Sequence, residues 1–312
     1  MRAGVITGVG GALPEQTLTN ADLESMMDTS DQWIVERTGI RERRVGGVTS
    51  ALAVEAGGKA LAAAGVDPAD IGLLILATTT PDRTVPATSA SVSEELGMRC
   101  GAFDVNAACA GWVYALVAAQ GFVATGVDKV LVIGADTLSR FTDYTDRGTA
   151  ILFSDGAGAS VVEGREGREG SLGLLGWDLG CDGSAESILY CDYGGLIKME
   201  GREVFRRAVR VMVDSSKRSL EMAGVTAHDV DLVIPHQANI RIIESANQRL
   251  GIPMEKSSVI IDRIGNSSSA TIPLALEAAI AQGRLHDGDV VLFTGFGAGM
   301  TWASAVVRWG QT

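Results

Sequence analysis

The feature that most constrains this chain is an internal echo. Ile151-Leu-Phe-Ser-Asp-Gly-Ala-Gly-Ala159 runs on into Ser160-Val-Val162, and Val291-Leu-Phe-Thr-Gly-Phe-Gly-Ala-Gly299 is followed shortly by Ser304-Ala-Val-Val307. Each reads as an apolar strand, a glycine turn and a returning strand, and the two lie about 140 positions apart. Two such turns can recur by chance. The alternative is a duplicated α/β unit whose halves pack together, with a site at their seam. A length of 312 residues suits either one large domain or two halves of roughly 150. The expected division falls in the polar, glycine-rich stretch 164–170, giving an N-terminal half 1–165 and a C-terminal half 166–312.

The rest of the pattern agrees with an α/β fold. Strand candidates at 71–78, 102–105, 130–134, 231–235 and 290–294 alternate with helical stretches at 51–64, 89–96, 111–125, 204–223 and 240–250. With 46% hydrophobic and 21% charged residues the chain can bury a large core, and nothing in it reads as low-complexity. No apolar run approaches the ~18 residues that span a bilayer, and the N-terminus does not resemble a secretory signal, so a cytoplasmic protein without membrane association is expected. The net charge of −12 argues against broad nucleic-acid binding. Cys100, Cys109, Cys181 and Cys191 show no metal-ligand spacing, so thiols rather than a metal site are expected.

One cysteine stands apart. Asp104-Val-Asn-Ala-Ala-Cys109-Ala-Gly-Trp-Val passes from a strand into a helix, and the small residues around Cys109 let the chain turn sharply there. A thiol at a helix N-terminus meets unpaired amides and the positive end of the dipole, which favour thiolate and can hold an oxyanion. A buried cysteine in a small-residue seam is the competing reading. Of only three histidines, His228 and His286 sit in polar turns, whereas His236 follows the apolar run Leu232-Val-Ile-Pro235 at a strand end. Asn266, in Arg263-Ile-Gly-Asn-Ser-Ser-Ser269, is a turn or N-cap residue taken alone. A cysteine, a histidine and an asparagine at three loop ends together make a candidate catalytic set.

At these residues the sequence resembles the thiolase superfamily and, within it, the 3-oxoacyl-acyl-carrier-protein synthase III family. The resemblance covers almost the whole chain. It is carried by Thr19-Asn-Ala-Asp22, Asp28-Thr-Ser-Asp-Gln-Trp-Ile-Val35, Arg37-Thr-Gly-Ile-Arg-Glu-Arg43, Ala107-Ala-Cys-Ala-Gly111, Asp146-Arg-Gly148, Pro235-His-Gln-Ala-Asn239, Gly265-Asn266 and Gly295-Phe-Gly-Ala-Gly299. It implies a thiolase-like αβαβα fold of two similar halves and a homodimer, the latter from the resemblance alone. The implied reaction starts when Cys109 attacks an acyl-CoA primer. Malonyl-acyl carrier protein then loses carbon dioxide, and its enolate attacks the acyl-enzyme to start a fatty acid. His236 and Asn266 would donate hydrogen bonds to the malonyl thioester oxygen, and the amides of Cys109 and Ala298 would form an oxyanion hole. No cofactor is implied, since acyl-CoA and malonyl-acyl carrier protein are substrates. A secondary-metabolism ketosynthase or acyltransferase of the same fold is the alternative.

The resemblance also implies CoA contacts at Thr29, Trp33, Arg37, Arg147, Gly201 and Asn239, with Trp33 and Arg147 sandwiching adenine. A basic strip supports an acidic carrier protein as partner. Lys198, Arg202, Arg206, Arg207, Arg210, Lys217 and Arg218 face only Glu200, Glu203 and Asp214 in that segment. Arg206 and Arg210 are one helical turn apart, and Arg241 and Arg249 fall in or near the family's carrier-contacting region. Three departures stand out. Ala298 interrupts a triple glycine, the loop after Arg44 is short, and Val85 replaces a bulky aromatic at the acyl pocket. Trp112 and Phe296 are expected to fill that space, and primers longer than acetyl are the expectation.

Overall fold

The structure is a computed structural model describing residues 2–166 and 172–310. In chain order its main elements are β1 (Arg2–Ala12), α1 (Asp31–Thr38), α2 (Thr49–Ala64), β2 (Leu73–Ala77), α3 (Thr88–Glu95), β3 (Gly101–Val105), α4 (Gly111–Ala124), β4 (Lys129–Thr137) and β5 (Asp155–Glu166). The second series is β6 (Gly173–Cys181), α5 (Gly201–Ala223), β7 (Leu232–Pro235), α6 (Ile240–Leu250), α7 (Thr271–Ala281), β8 (Val290–Gly297) and β9 (Thr301–Arg308).

These strands form two sheets of matching design. The first runs β1-β5-β4-β2-β3 and the second β6-β9-β8-β7. In the first, β1/β5 and β5/β4 are antiparallel and β4/β2 and β2/β3 parallel. In the second, β6/β9 and β9/β8 are antiparallel and β8/β7 parallel. Where β3 would have a counterpart beside β7, a single parallel bridge joins Val233 to Ser257.

Helices fill three layers around these sheets. α2 and α3 cover the outer face of the first sheet, while α5 covers the outer face of the second and packs against α6. α4 and α7 lie between the sheets and touch both. Their sequences explain the placement. α5 spaces Val204, Ala208, Val209, Met212 and Val213 along one buried stripe, the period of a helix with one face in solvent. α4 is apolar nearly all round, as a helix between two sheets must be, with Trp112, Val113, Ala115, Leu116 and Ala119 in the shared core. β2 reads Leu-Leu-Ile-Leu-Ala without alternation because, as an interior parallel strand, both its faces are covered.

The echo that suggested duplication does not align the halves. Ile151–Ser154 forms a turn and bridge, and the strand begins at Asp155. By topology β5 corresponds to β9 and β4 to β8, so 151–159 and 291–299 are not counterparts. An apolar run beside glycine looks the same in a turn as in a strand end. The expected division at 165/166 falls at the end of β5, and 167–170 of that stretch lie outside the described residues.

Candidate active site

Cys109 sits in a short 3-10 turn, Ala108–Ala110, that feeds directly into α4. Ala108 adopts φ +48°, a left-handed conformation that costs a non-glycine residue of the order of 1–2 kcal/mol. That turn lifts the thiol out of the seam and into a cavity of about 680 Å³. Ala108, Cys109, Ser268, Ala298 and Gly299 line one end; Leu138, Phe141, Phe153, Leu189 and Ile197 supply apolar wall. Asp82, Arg83, Glu186 and Asp192 also line it.

β8 delivers the second wall. A Cβ on Gly297 would lie 2.5 Å from the Cys109 amide nitrogen, so only glycine lets the strand end approach Cys109 so closely. At Gly295, His236 Cβ and the Cys109 carbonyl oxygen lie 3.3 and 3.7 Å from where a Cβ would be. The histidine and the cysteine therefore meet at one glycine, although they are 127 positions apart in the chain.

His236 follows β7 and is buried, with its Nδ1 2.6 Å from Thr271 Oγ1 and Phe296 edge-on at 5.6 Å. Burial holds its pKa down to about 3, so the imidazole is neutral at physiological pH. Asn266 is buried in the turn before α7; its Oδ1 accepts from the Ser268 amide at 3.0 Å. That leaves the Nδ2 group, and likewise His236 Nε2, without a protein partner among the described residues. Ser268, with φ +53°, hydrogen-bonds toward the Cys109 thiol.

The thiol itself departs from expectation. Burial pushes the Cys109 pKa up to about 12, with the Ser268 hydrogen bond opposing and the Asp136 carboxylate adding to the rise. From an ordinary 9.0 that disfavours thiolate by roughly 4 kcal/mol, whereas a helix terminus offers a charge ~0.3–1 kcal/mol. Desolvation wins, so Cys109 rests as a thiol.

Asp136 was not singled out from sequence. Fully buried at the end of β4, it accepts six hydrogen bonds: from the Thr78 and Thr80 hydroxyls, from the amide and hydroxyl of Thr79, and from the amide and hydroxyl of Ser269. It ties the loop after β2 to the turn bearing Ser268. Gly134 allows this, because a Cβ there would meet the Ser269 carbonyl at 2.3 Å. The run Thr78-Thr-Thr80 was the available signal.

The whole chain matches known proteins. Residues 103–183 match the family described as 3-oxoacyl-[acyl-carrier-protein (ACP)] synthase III, and residues 220–309 match its C-terminal part. The beta-ketoacyl-[acyl-carrier-protein] synthase III of Geobacillus kaustophilus is 50% identical over 320 residues, covering 100% of both chains. That of Erythrobacter litoralis is 49% identical over 321 residues, covering 99% of this chain and all of its own. The chain belongs to the 3-oxoacyl-[acyl-carrier-protein] synthase III family. The crystal structure of the synthase III of Aquifex aeolicus superimposes with a TM-score of 0.95 at 44% identity, covering 98% of this chain and 100% of its own. The family's thiolase-like fold of two packed halves is thus this chain's fold.

The remaining expected site residues sort by position. Trp33, Arg37 and Arg147 do come together: the Arg147 guanidinium carbon lies 4.6 Å and that of Arg37 5.7 Å from the indole centre. A base between Trp33 and Arg147 needs about 7 Å, two van der Waals contacts, so the sandwich is closed. Thr29 Oγ1 is buried without a hydrogen-bond partner, an open valence beside that cluster's loop. Asn239 caps α6 through the Arg241 amide and ties to the Arg37 carbonyl, both at 2.9 Å. Gly201 opens α5 on the surface.

None of the three acyl-pocket candidates lines the cavity. Trp112 points into the core between the sheets, edge-on to Phe293 at 5.3 Å, because the first turn of α4 faces inward there. Phe296 braces His236, and Val85 is 79% exposed. Of the basic residues, Arg206 and Arg207 both pair with Glu203, Arg207 also with Asp182, and Arg210 lies 3.7 Å from Asp214. Arg241 stacks over Phe205 at 5.6 Å, and Arg249 is exposed in the last turn of α6. Pairing within the strip leaves less free positive charge than the sequence count implies.

Proposed function

We propose that this chain condenses an acyl-CoA primer with malonyl-acyl carrier protein, releasing carbon dioxide and CoA and giving 3-oxoacyl-acyl carrier protein to initiate fatty acid synthesis. The observation that carries this reading is the arrangement around Gly295. There the strained turn that carries Cys109 and a neutral histidine both pack against one glycine of β8, and a buried asparagine accepts from the amide of Ser268, whose side chain hydrogen-bonds Cys109. Cys109 attacks the primer thioester, and its proton leaves with CoA, which is expelled as the free thiol. The Cys109 amide and that of Ala298 stabilise the oxyanion. The malonyl thioester then decarboxylates; its enolate oxygen is held by His236 Nε2 and Asn266 Nδ2, and its carbon attacks the acyl group, freeing the cysteine.

Thr29, Trp33, Arg37, Arg147, Gly201 and Asn239 form the CoA face in this reading, with Arg147 swinging off Trp33 to admit the base. The acyl chain enters the 680 Å³ cavity, which none of those residues lines, and its size favours primers longer than acetyl. Arg206, Arg210, Arg241 and Arg249 receive the acidic carrier. A homodimer covers the exposed Val85, Tyr190, Tyr193 and Leu196. The halves divide at about residue 165. Among the described residues no helix is long and apolar enough to cross a membrane. In this reading the reaction, whose substrates are CoA and carrier thioesters, runs in the cytoplasm.

Intact-protein mass after incubation with a panel of acyl-CoAs, then with malonyl-acyl carrier protein, tests the reading. One acyl adduct, discharged with carbon dioxide release, is expected. An adduct that survives malonyl-acyl carrier protein would assign simple acyl transfer instead.

A further inference from the structure

We infer that Arg43 is a positioning residue: its buried guanidinium fixes the two walls of the base sandwich, Trp33 and Arg147, to each other and to the turn that carries Asn266. The inference rests on the condensation reading above and deepens it by naming what joins the CoA face to the decarboxylating end.

Arg43 is fully buried and held by three hydrogen bonds. Its Nε and Nη2 both donate to the Ile151 carbonyl, at 2.9 and 2.6 Å, and its Nη1 donates to Asn20 Oδ1 at 2.6 Å. Each partner leads to one wall. Ile151 is the C-cap of the short helix Arg147–Ala150, so a grip on its carbonyl fixes the helix that carries Arg147. Asn20 extends the grip through its own Nδ2, which donates to Asp31 Oδ1 at 2.7 Å and to the Ile40 carbonyl at 2.9 Å. Asp31 opens α1, which carries Trp33.

A third link runs to Asn266. Its amide donates to the Leu152 carbonyl and its carbonyl accepts from the Ser154 amide, both at 2.9 Å, so the residues just after Ile151 hold it by the backbone. Gly265 lies on the Arg43 stem, since a Cβ there would be 3.1 Å from Arg43 Cγ.

Fold stability alone does not call for an arginine here. Its hydrogen-bond partners are neutral oxygens, and burial lowers its pKa to about 10, which leaves it charged at neutral pH. A buried cation held by neutral groups costs folding free energy that an apolar side chain of similar length avoids. What the guanidinium supplies is a rigid fork that grips two segments at once, which a lysine ammonium does not reproduce.

The test uses the full-length enzyme and CoA itself, titrated calorimetrically. Arg43→Met is expected to weaken CoA binding about tenfold, but only within about twofold in a Trp33→Ala background, where one wall is already gone. It should also slow carbon dioxide release from malonyl-acyl carrier protein about tenfold. Arg43→Lys keeps the charge without the fork and should resemble Arg43→Met. Wild-type affinity in Arg43→Lys, or an equal loss in both backgrounds, would overturn the inference. Hydrogen–deuterium exchange of the ligand-free proteins gives a second readout. Arg43→Met should speed exchange in 28–38, 147–154 and 263–268 and leave β2, β4 and β8 unchanged. Uniform acceleration, or a variant that fails to fold, would make Arg43 a support of the whole fold and overturn the inference. Should the wild type bind no CoA, the reading of the CoA face fails, while the exchange pattern still decides whether Arg43 joins the three segments.

Discussion

Two turns occupy matching places in the two halves and do opposite things. Ala108–Ala110 opens into α4 and Ser268–Ala270 into α7, the two helices shared between the sheets. Each begins with a non-glycine residue in left-handed conformation, Ala108 at +48° and Ser268 at +53°. The residue that follows is Cys109 in one and Ser269 in the other. Cys109 faces a cavity; Ser269 is clasped by Asp136, 2.6 Å from hydroxyl to carboxylate. The backbone device is therefore not what makes a nucleophile. What differs is whether the side chain's valence is left open or filled.

The contrast can be broken in order of size. Cys109→Ala should abolish the acyl adduct and lower condensation at least about 10⁴-fold, while Ser269→Ala, read by the same mass assay, should still acylate. An adduct persisting in Cys109→Ala would move the nucleophile elsewhere. Next, Asp136→Asn places an amide among six donors and should destabilise the fold by about 2–4 kcal/mol in denaturant unfolding. A loss below ~1 kcal/mol would mean that the clasp is not what secures the second turn.

Acylation of Cys109 offers a third test, because only the first turn titrates. With the thiol at about 12 and His236 at about 3, thiolate grows and imidazole stays neutral from pH 6 to 9. Acylation through free thiolate should rise roughly tenfold per pH unit across that window. A profile with a step near 6.5 would show that the histidine ionises in the working site. The smallest effect concerns the turn itself. Ala108→Gly relieves the left-handed strain but loosens the unfolded chain, so unfolding free energy should stay within ~1 kcal/mol of wild type. A larger loss would show that the Ala108 methyl is held by packing.

Much of this was legible in the residues. Strands and helices followed from apolar spacing, and Cys109, His236 and Asn266 stood out because each ends a strand or opens a helix beside small residues. Thr271 and Asp136 were not visible in that way. A threonine at a helix start reads as a cap, and an aspartate after an apolar strand reads as a turn. Only the packing of α7 against β7, and of the turn before it against β4, makes one a partner of His236 and the other a clasp. Trp112 shows the same limit in reverse: it was expected to fill space left by Val85 at the acyl pocket, but it lies in the core between the sheets and not on the cavity.

The sequence by itself determined the fold class, the family and the candidate reacting groups, because these depend on local spacing and on residue types that few other chains combine. The tertiary structure alone decided which groups are charged, which valences stay open and which residues share a cavity. Those depend on burial and on contacts between residues more than a hundred positions apart. The thiol of Cys109 illustrates the division: its chain position argues for thiolate, and the loss of water around it outweighs that argument.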